Sequence, residues 1–160
     1  MRKLLKFIGF GIQMASAFVV FMCIFMSLAL LDYQSGIDGL LSILVFQPVM
    51  GAIFSLPILL LCLVVGLPLR FVQGLNYWWR THFYLSFFGI LIGTAIVVLA
   101  CLPGFTETFT VVREGVDVSE QHPDTYLSIS GTVTAVFFTM HQYLPRQLTE
   151  ILKTRFNIPV

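Results

Sequence analysis

Charged side chains are scarce in this sequence, and where they are missing matters more than their number. Asp, Glu, Lys and Arg make up 11% of the chain, less than half the share of an ordinary soluble domain. None falls within 7–31, 39–69, 81–106 or 125–145. Each of these runs exceeds the roughly 18 residues that mark a candidate transmembrane helix, so water is not the main solvent of the chain. The same gaps remove the usual proton relay, ion-coupling carboxylate and voltage sensor, which argues against a secondary transporter. Cysteine is also sparse: Cys23, Cys62 and Cys101 all lie inside apolar runs, which argues against a disulfide framework and favours small buried apolar residues. No phosphate-cradling glycine loop, zinc-protease helix or nucleophile elbow occurs, so no catalytic site is expected and no cofactor is implied. The net charge of +1 and the spread of basic residues around the ends of the apolar runs exclude a nucleic-acid-binding patch.

What is abundant is apolar surface, at 58% of residues with 16 Phe. A backbone in hydrocarbon must satisfy its own hydrogen bonds, and long uninterrupted runs do so as helices, whereas barrel strands would be about 10 residues long and would alternate. The expected fold class is an all-α integral membrane protein, one membrane domain over 1–160. It is a four-transmembrane-helix bundle with spans at 7–31, 42–69, 83–103 and 125–145, a loop at 104–124 and a tail at 146–160. The start, "MRKLLKFIGFGIQ", has the basic flank of a signal peptide, but the run behind it is long and has only a loose cleavage pattern, so it reads as a retained helix. Pro57, well inside the second run, predicts a kink near Ser55–Pro57.

Orientation follows from the basic residues near the span ends. Arg2, Lys3, Lys6, Arg70, Arg80, Arg146, Lys153 and Arg155 share one side, while the other has Arg113 with Asp32, Asp38, Glu107, Glu114, Asp117, Glu120 and Asp124. Both termini are therefore expected in the cytoplasm, in a bacterial inner membrane. "LRFVQGLNYWWRTHFY", residues 69–84, then joins the second and third helices on the cytoplasmic side, with Gly74 and Asn76 as its turn. Its Arg70, Trp78, Trp79 and Arg80 are placed to meet lipid headgroups, and membrane lipids are the expected contact. Beyond Pro145, Leu148, Ile151, Leu152 and Phe156 share a helical face, predicting a short amphipathic C-terminal helix on the same leaflet.

Two spans carry packing faces. Gly89 and Gly93 have the spacing that lets helix backbones approach. In the fourth span Ser128, Thr132, Ala135, Thr139 and Gln142 share a face, overlapped by a Gly131, Ala135, Thr139 ridge of small residues. Across the membrane, "TETFTVVREGVDVSEQHPD" predicts a hairpin or ordered cap with its turn at Glu114 and Gly115. There Phe109, Val111, Val112, Val116 and Val118, rimmed by Glu114 and Asp117, form an expected partner-binding surface. Asp117, Glu120, His122 and Asp124 match no calcium loop.

These features point to a non-catalytic small polytopic protein that binds another integral membrane protein, as an accessory subunit of a complex or as an immunity-type protein. Two alternatives remain open on the sequence. One is a self-associating pore or carrier, a homo-oligomer lined by the fourth helix. The other is a small haem-binding subunit that uses His82 and His141 as ligands, although interfacial hydrogen bonding accounts for that pair equally well.

Overall fold

A computed structural model describes residues 2–31, 37–113 and 116–143. Helix α1 runs over Arg2–Leu31; α2 (Ile37–Leu41), a π-helical turn (Ser42–Phe46) and α3 (Gln47–Val65) form one continuous rod. Two short helices, α4 (Leu67–Phe71) and α5 (Gln73–Thr81), lead into α6 (Tyr84–Ala100). Strands β1 (Thr106–Arg113) and β2 (Val116–Pro123) pair antiparallel before α7 (Thr125–Met140). Apart from this one hairpin, the described residues form an all-helical protein.

Local chemistry explains the breaks. Pro48 lacks an N–H, and its ring crowds the carbonyl one turn earlier; the helix absorbs this with the wider π turn immediately upstream rather than starting at the proline. Pro57, where the sequence predicts a kink, lies inside α3, which is helical on both sides of it. The rod ends instead at Gly66, whose missing Cβ leaves room for the His141 ring; a Cβ there would collide with the imidazole. Gly74 and Asn76 do not make the turn expected of them. They lie inside α5, and the chain changes direction at extended Val72 and at His82. The Asn76 amide instead caps the preceding segment by donating to the Leu69 carbonyl at 2.7 Å. Gly104, at φ 99°, makes the left-handed step that starts the loop towards β1. Asp124 caps α7, accepting a 2.7 Å bond from the Leu127 N–H.

Helix α7 is the hub. It packs on α6, on α1 and on α3, and the main core joins Ala17 and Phe21 of α1 to Leu59 and Cys62 of α3 and to Val136 and Met140 of α7. Gly51 of α3 lets Phe25 and Met22 of α1 come close. Phe7–Leu31 and Gly39–Val65 are each long and apolar enough to cross a membrane. A third span is added if α5 and α6, bent by 78° to each other, are taken together. Helices α6 and α7, of 17 and 16 residues, are shorter than the spans expected at 83–103 and 125–145, because turns at Cys101 and His141 end them early. The apolar helices are compatible with a membrane protein. The expected amphipathic helix beyond Pro145 lies outside the described residues.

Candidate functional site

The basic residues Arg70 and Arg80 come from α4 and α5, and the end of α7 delivers His141, Gln142 and Tyr143 to them. Gln13 of α1 completes the group. Its amide donates to the Gln142 carbonyl at 2.5 Å and accepts from an Arg70 amino group at 3.3 Å, while the Arg70 guanidinium lies 4.8 Å from the centre of the Phe10 ring. Arg80 covers the Tyr143 ring at 4.9 Å. Among the described residues neither guanidinium has a carboxylate partner, and the Nε of each is buried without a hydrogen bond. The sequence accounts for this imbalance: between Asp38 and Glu107, and again between Asp124 and Glu150, there is no acidic residue.

Trp79 ties this group to the helices. Its indole N–H donates to the His141 carbonyl at 2.8 Å, and its ring stacks on Phe138 at 5.8 Å. Trp78 takes a different place, beside His82 at 4.8 Å and largely exposed. The two histidines are held separately. His82 Nδ1 sits 2.9 Å from the Trp78 carbonyl. His141 is fully buried: its Nδ1 is 2.8 Å from the Phe137 carbonyl, its ring stacks on Phe137 at 4.6 Å, and its Nε2, without a hydrogen-bond partner, faces Gly66. A metal at that Nε2 would have to displace the Gly66 backbone. Among the described residues no group of three or more His, Cys, Asp or Glu side chains is arranged to hold a metal ion.

Above His141 a groove of about 240 Å³ opens between α3 and α7. Its walls are Leu61, Cys62 and Val65 on one side and Val133, Thr134, Phe137 and Phe138 on the other. The far face of α7 is closed. Gly93 and Gly131 put α6 and α7 backbone against backbone: a Cβ at Gly93 would lie 2.5 Å from the Ala135 nitrogen, and one at Gly131 would lie 2.7 Å from the Gly93 oxygen. Gly89 accepts the Phe138 ring. Ser128, Thr132, Ala135 and Thr139 are buried on α7, and the hydroxyls of Thr132 and Thr139 bond to carbonyls of their own helix at 2.6 and 2.7 Å. Gln142 lies beyond the helix end and uses its carbonyl, as described, to hold Gln13.

At the other end, the hairpin register pairs Thr106 with Pro123 and Arg113 with Val116, which centres the connection on Glu114 and Gly115, outside the described residues. Val111 pairs with Val118 and Val112 with Asp117. By strand alternation Glu107, Phe109, Glu120 and His122 share one face. Phe109 is half exposed and meets the His122 ring edge-on at 5.7 Å. Thr108, Thr110, Asp117, Ser119 and Gln121 form the exposed opposite face.

Gln13, Gly66 and Tyr143 are parts of the basic end that sequence reasoning missed. Gln13 carried a signal, as the one side-chain amide within 7–31, because a polar group in an apolar span is expected to meet a partner. Gly66 and Tyr143 carried none. Comparison with protein-family models, with curated protein sequences and with solved structures finds no match.

Proposed function

We propose that this chain is a non-catalytic membrane protein that docks on another integral membrane protein through the β1–β2 hairpin, as an accessory subunit or an immunity-type protein. In this reading α1, Gly39–Val65, α6 and α7 all cross an inner membrane. Turn hydrogen bonds that carry α6 on to Leu102 and α7 on to His141 add to the two shorter helices. The basic end with both termini lies in the cytoplasm, by the charge asymmetry of the sequence.

The observation that carries the reading is how the hairpin is held among the described residues. The strands pair chiefly with each other, and the Thr125 hydroxyl donates to Glu107 at 3.0 Å. An isolated two-stranded hairpin is marginally stable in water, and among the described residues no third strand joins this one. A partner strand or surface that covers an edge and the half-exposed Phe109 would add stabilising contacts to it.

Replacing residues 108–120 with a Gly/Ser linker tests this. Insertion and helix packing are expected to survive, while a hetero-complex seen by native mass spectrometry after gentle extraction is lost. Wild-type yield of that complex from the hybrid would move recognition to the helix faces. Cysteine labelling of residue 115 only from outside the cell checks the orientation.

A further inference from the structure

We infer that the basic end and the α3–α7 groove form one binding site for an anionic phospholipid, with the phosphate at Arg70 and Arg80 and an acyl chain lying in the groove. The inference rests on the membrane placement proposed above. The two parts are joined through His141: Val65 at the groove's α3 wall adjoins Gly66, which receives the His141 ring, and Phe137 at the α7 wall stacks on that same ring. Phe138, also in the wall, stacks on Trp79, the neighbour of Arg80 in α5. The groove therefore ends, on the basic side, at the His141 and Phe138 rings, the second of which carries Trp79.

Charge complementarity decides the occupant. Arg80 covers the Tyr143 ring and Arg70 bonds to Gln13, which holds the adjacent Gln142 carbonyl; among the described residues neither guanidinium has a carboxylate partner, and the Nε of each lacks a hydrogen bond. A phosphodiester is a fitting partner, because guanidinium donors match phosphate oxygens in bidentate geometry. The groove cannot be the phosphate's place. Its walls are almost wholly apolar and its one hydroxyl, on Thr134, is already donated to the Ser130 carbonyl at 2.7 Å. An alkyl chain asks for nothing more, and Leu61 and Val65, both half exposed at the rim, leave it a lateral entrance from the bilayer. A soluble phosphate would use the arginines and leave the groove empty; a zwitterionic lipid would fill the groove but bring its own cation to the arginines.

The only tryptophans in the chain are Trp78 and Trp79, so intrinsic fluorescence reports on the site without a label. The full-length protein is reconstituted in phosphatidylcholine vesicles containing a minor fraction of lipid brominated on its acyl chains, either phosphatidylglycerol or phosphatidylcholine. Brominated phosphatidylglycerol is expected to quench several-fold more at equal bromine content, and Arg70→Gln or Arg80→Gln each to lower that preference about fivefold. Leu61→Phe, which fills the groove at its exposed rim and leaves the arginines alone, is expected to weaken the preference as well. Inorganic phosphate is expected not to compete.

Equal quenching by the two lipids would overturn the site while leaving the membrane placement intact, whereas no quenching by either would overturn both. A loss of preference in Lys6→Gln as large as in Arg80→Gln would also overturn it, because the effect would then be that of a diffuse basic collar. Displacement by inorganic phosphate alone would overturn the acyl-chain half of the site.

Discussion

Helix α7 has two contrasting neighbours. Against α6 it presents Gly131 and Ala135, and the backbones meet so closely that a single added carbon would strike main-chain atoms. Against α3 it presents Val133, Thr134, Phe137 and Phe138, and a groove stays open. Both boundaries join apolar helices. The difference is the size of the side chains: small residues let the α6 and α7 backbones meet, while α3 meets α7 through the side chains of Leu59, Cys62, Val136 and Met140 and a groove remains beside that contact. One boundary is thus closed at the backbone, and the other keeps a groove beside its core contact.

Breaking the closed boundary should have the largest effect. Gly93→Leu and Gly131→Leu are each expected to abolish the folded protein, because the colliding atoms are backbone and cannot rotate away. Phe137→Leu, on the groove side, should still fold. Detergent-solubilised yield with the helical circular dichroism signal of all three variants checks this, and equal loss in all three would remove the contrast between the two boundaries.

A medium effect is expected where the groove closes. Gly66→Ala puts a methyl into the His141 ring, which must swing out of its buried seat; overpacking of this kind costs about 1 to 3 kcal/mol. A lowered thermal midpoint restored by the compensating His141→Ala change would assign the loss to that contact. A melting curve of Gly66→Ala identical to wild type would show that the groove end is not tightly closed.

Smaller changes separate bonds between elements from bonds within one helix. Trp79→Phe keeps most of the stack on Phe138 but leaves the His141 carbonyl without its indole donor, so a loss of about 1 kcal/mol is expected. Thr139→Val should cost less than about 1 kcal/mol despite complete burial on the tight face, because its hydroxyl serves its own helix rather than α6. Urea or thermal titration of the two variants side by side ranks them. A larger loss in Thr139→Val would mean that the closed boundary depends on hydrogen bonds as well as close approach.

Much of the helix framework was legible beforehand because it depends on local quantities. The stretches without charge mark where α1, the Gly39–Val65 rod, α6 and α7 lie, and the β-branched run around Glu114 and Gly115 marks the hairpin. Local signals misled where tertiary packing competed with them. Gly74 and Asn76 are turn formers, yet they sit in a helix, since α5 is held across the bundle end by Trp79 and Asn76. The basic end shows the same limit. Arg70 and Arg80 are visible as residues that flank apolar runs, but Gln13 and Tyr143 lie far from them in the chain.

The sequence by itself determined that this chain is apolar, helical and asymmetric in charge, because hydropathy and net charge add up residue by residue along the chain. Only the tertiary structure decided which face of α7 is sealed and which is open, and that two arginines without a carboxylate partner among the described residues meet the end of α7 at Gln142 and Tyr143. Those outcomes depend on which side chains meet across helices. Whether a gap closes is set by the sum of sizes on both sides of it, a quantity that no single segment contains.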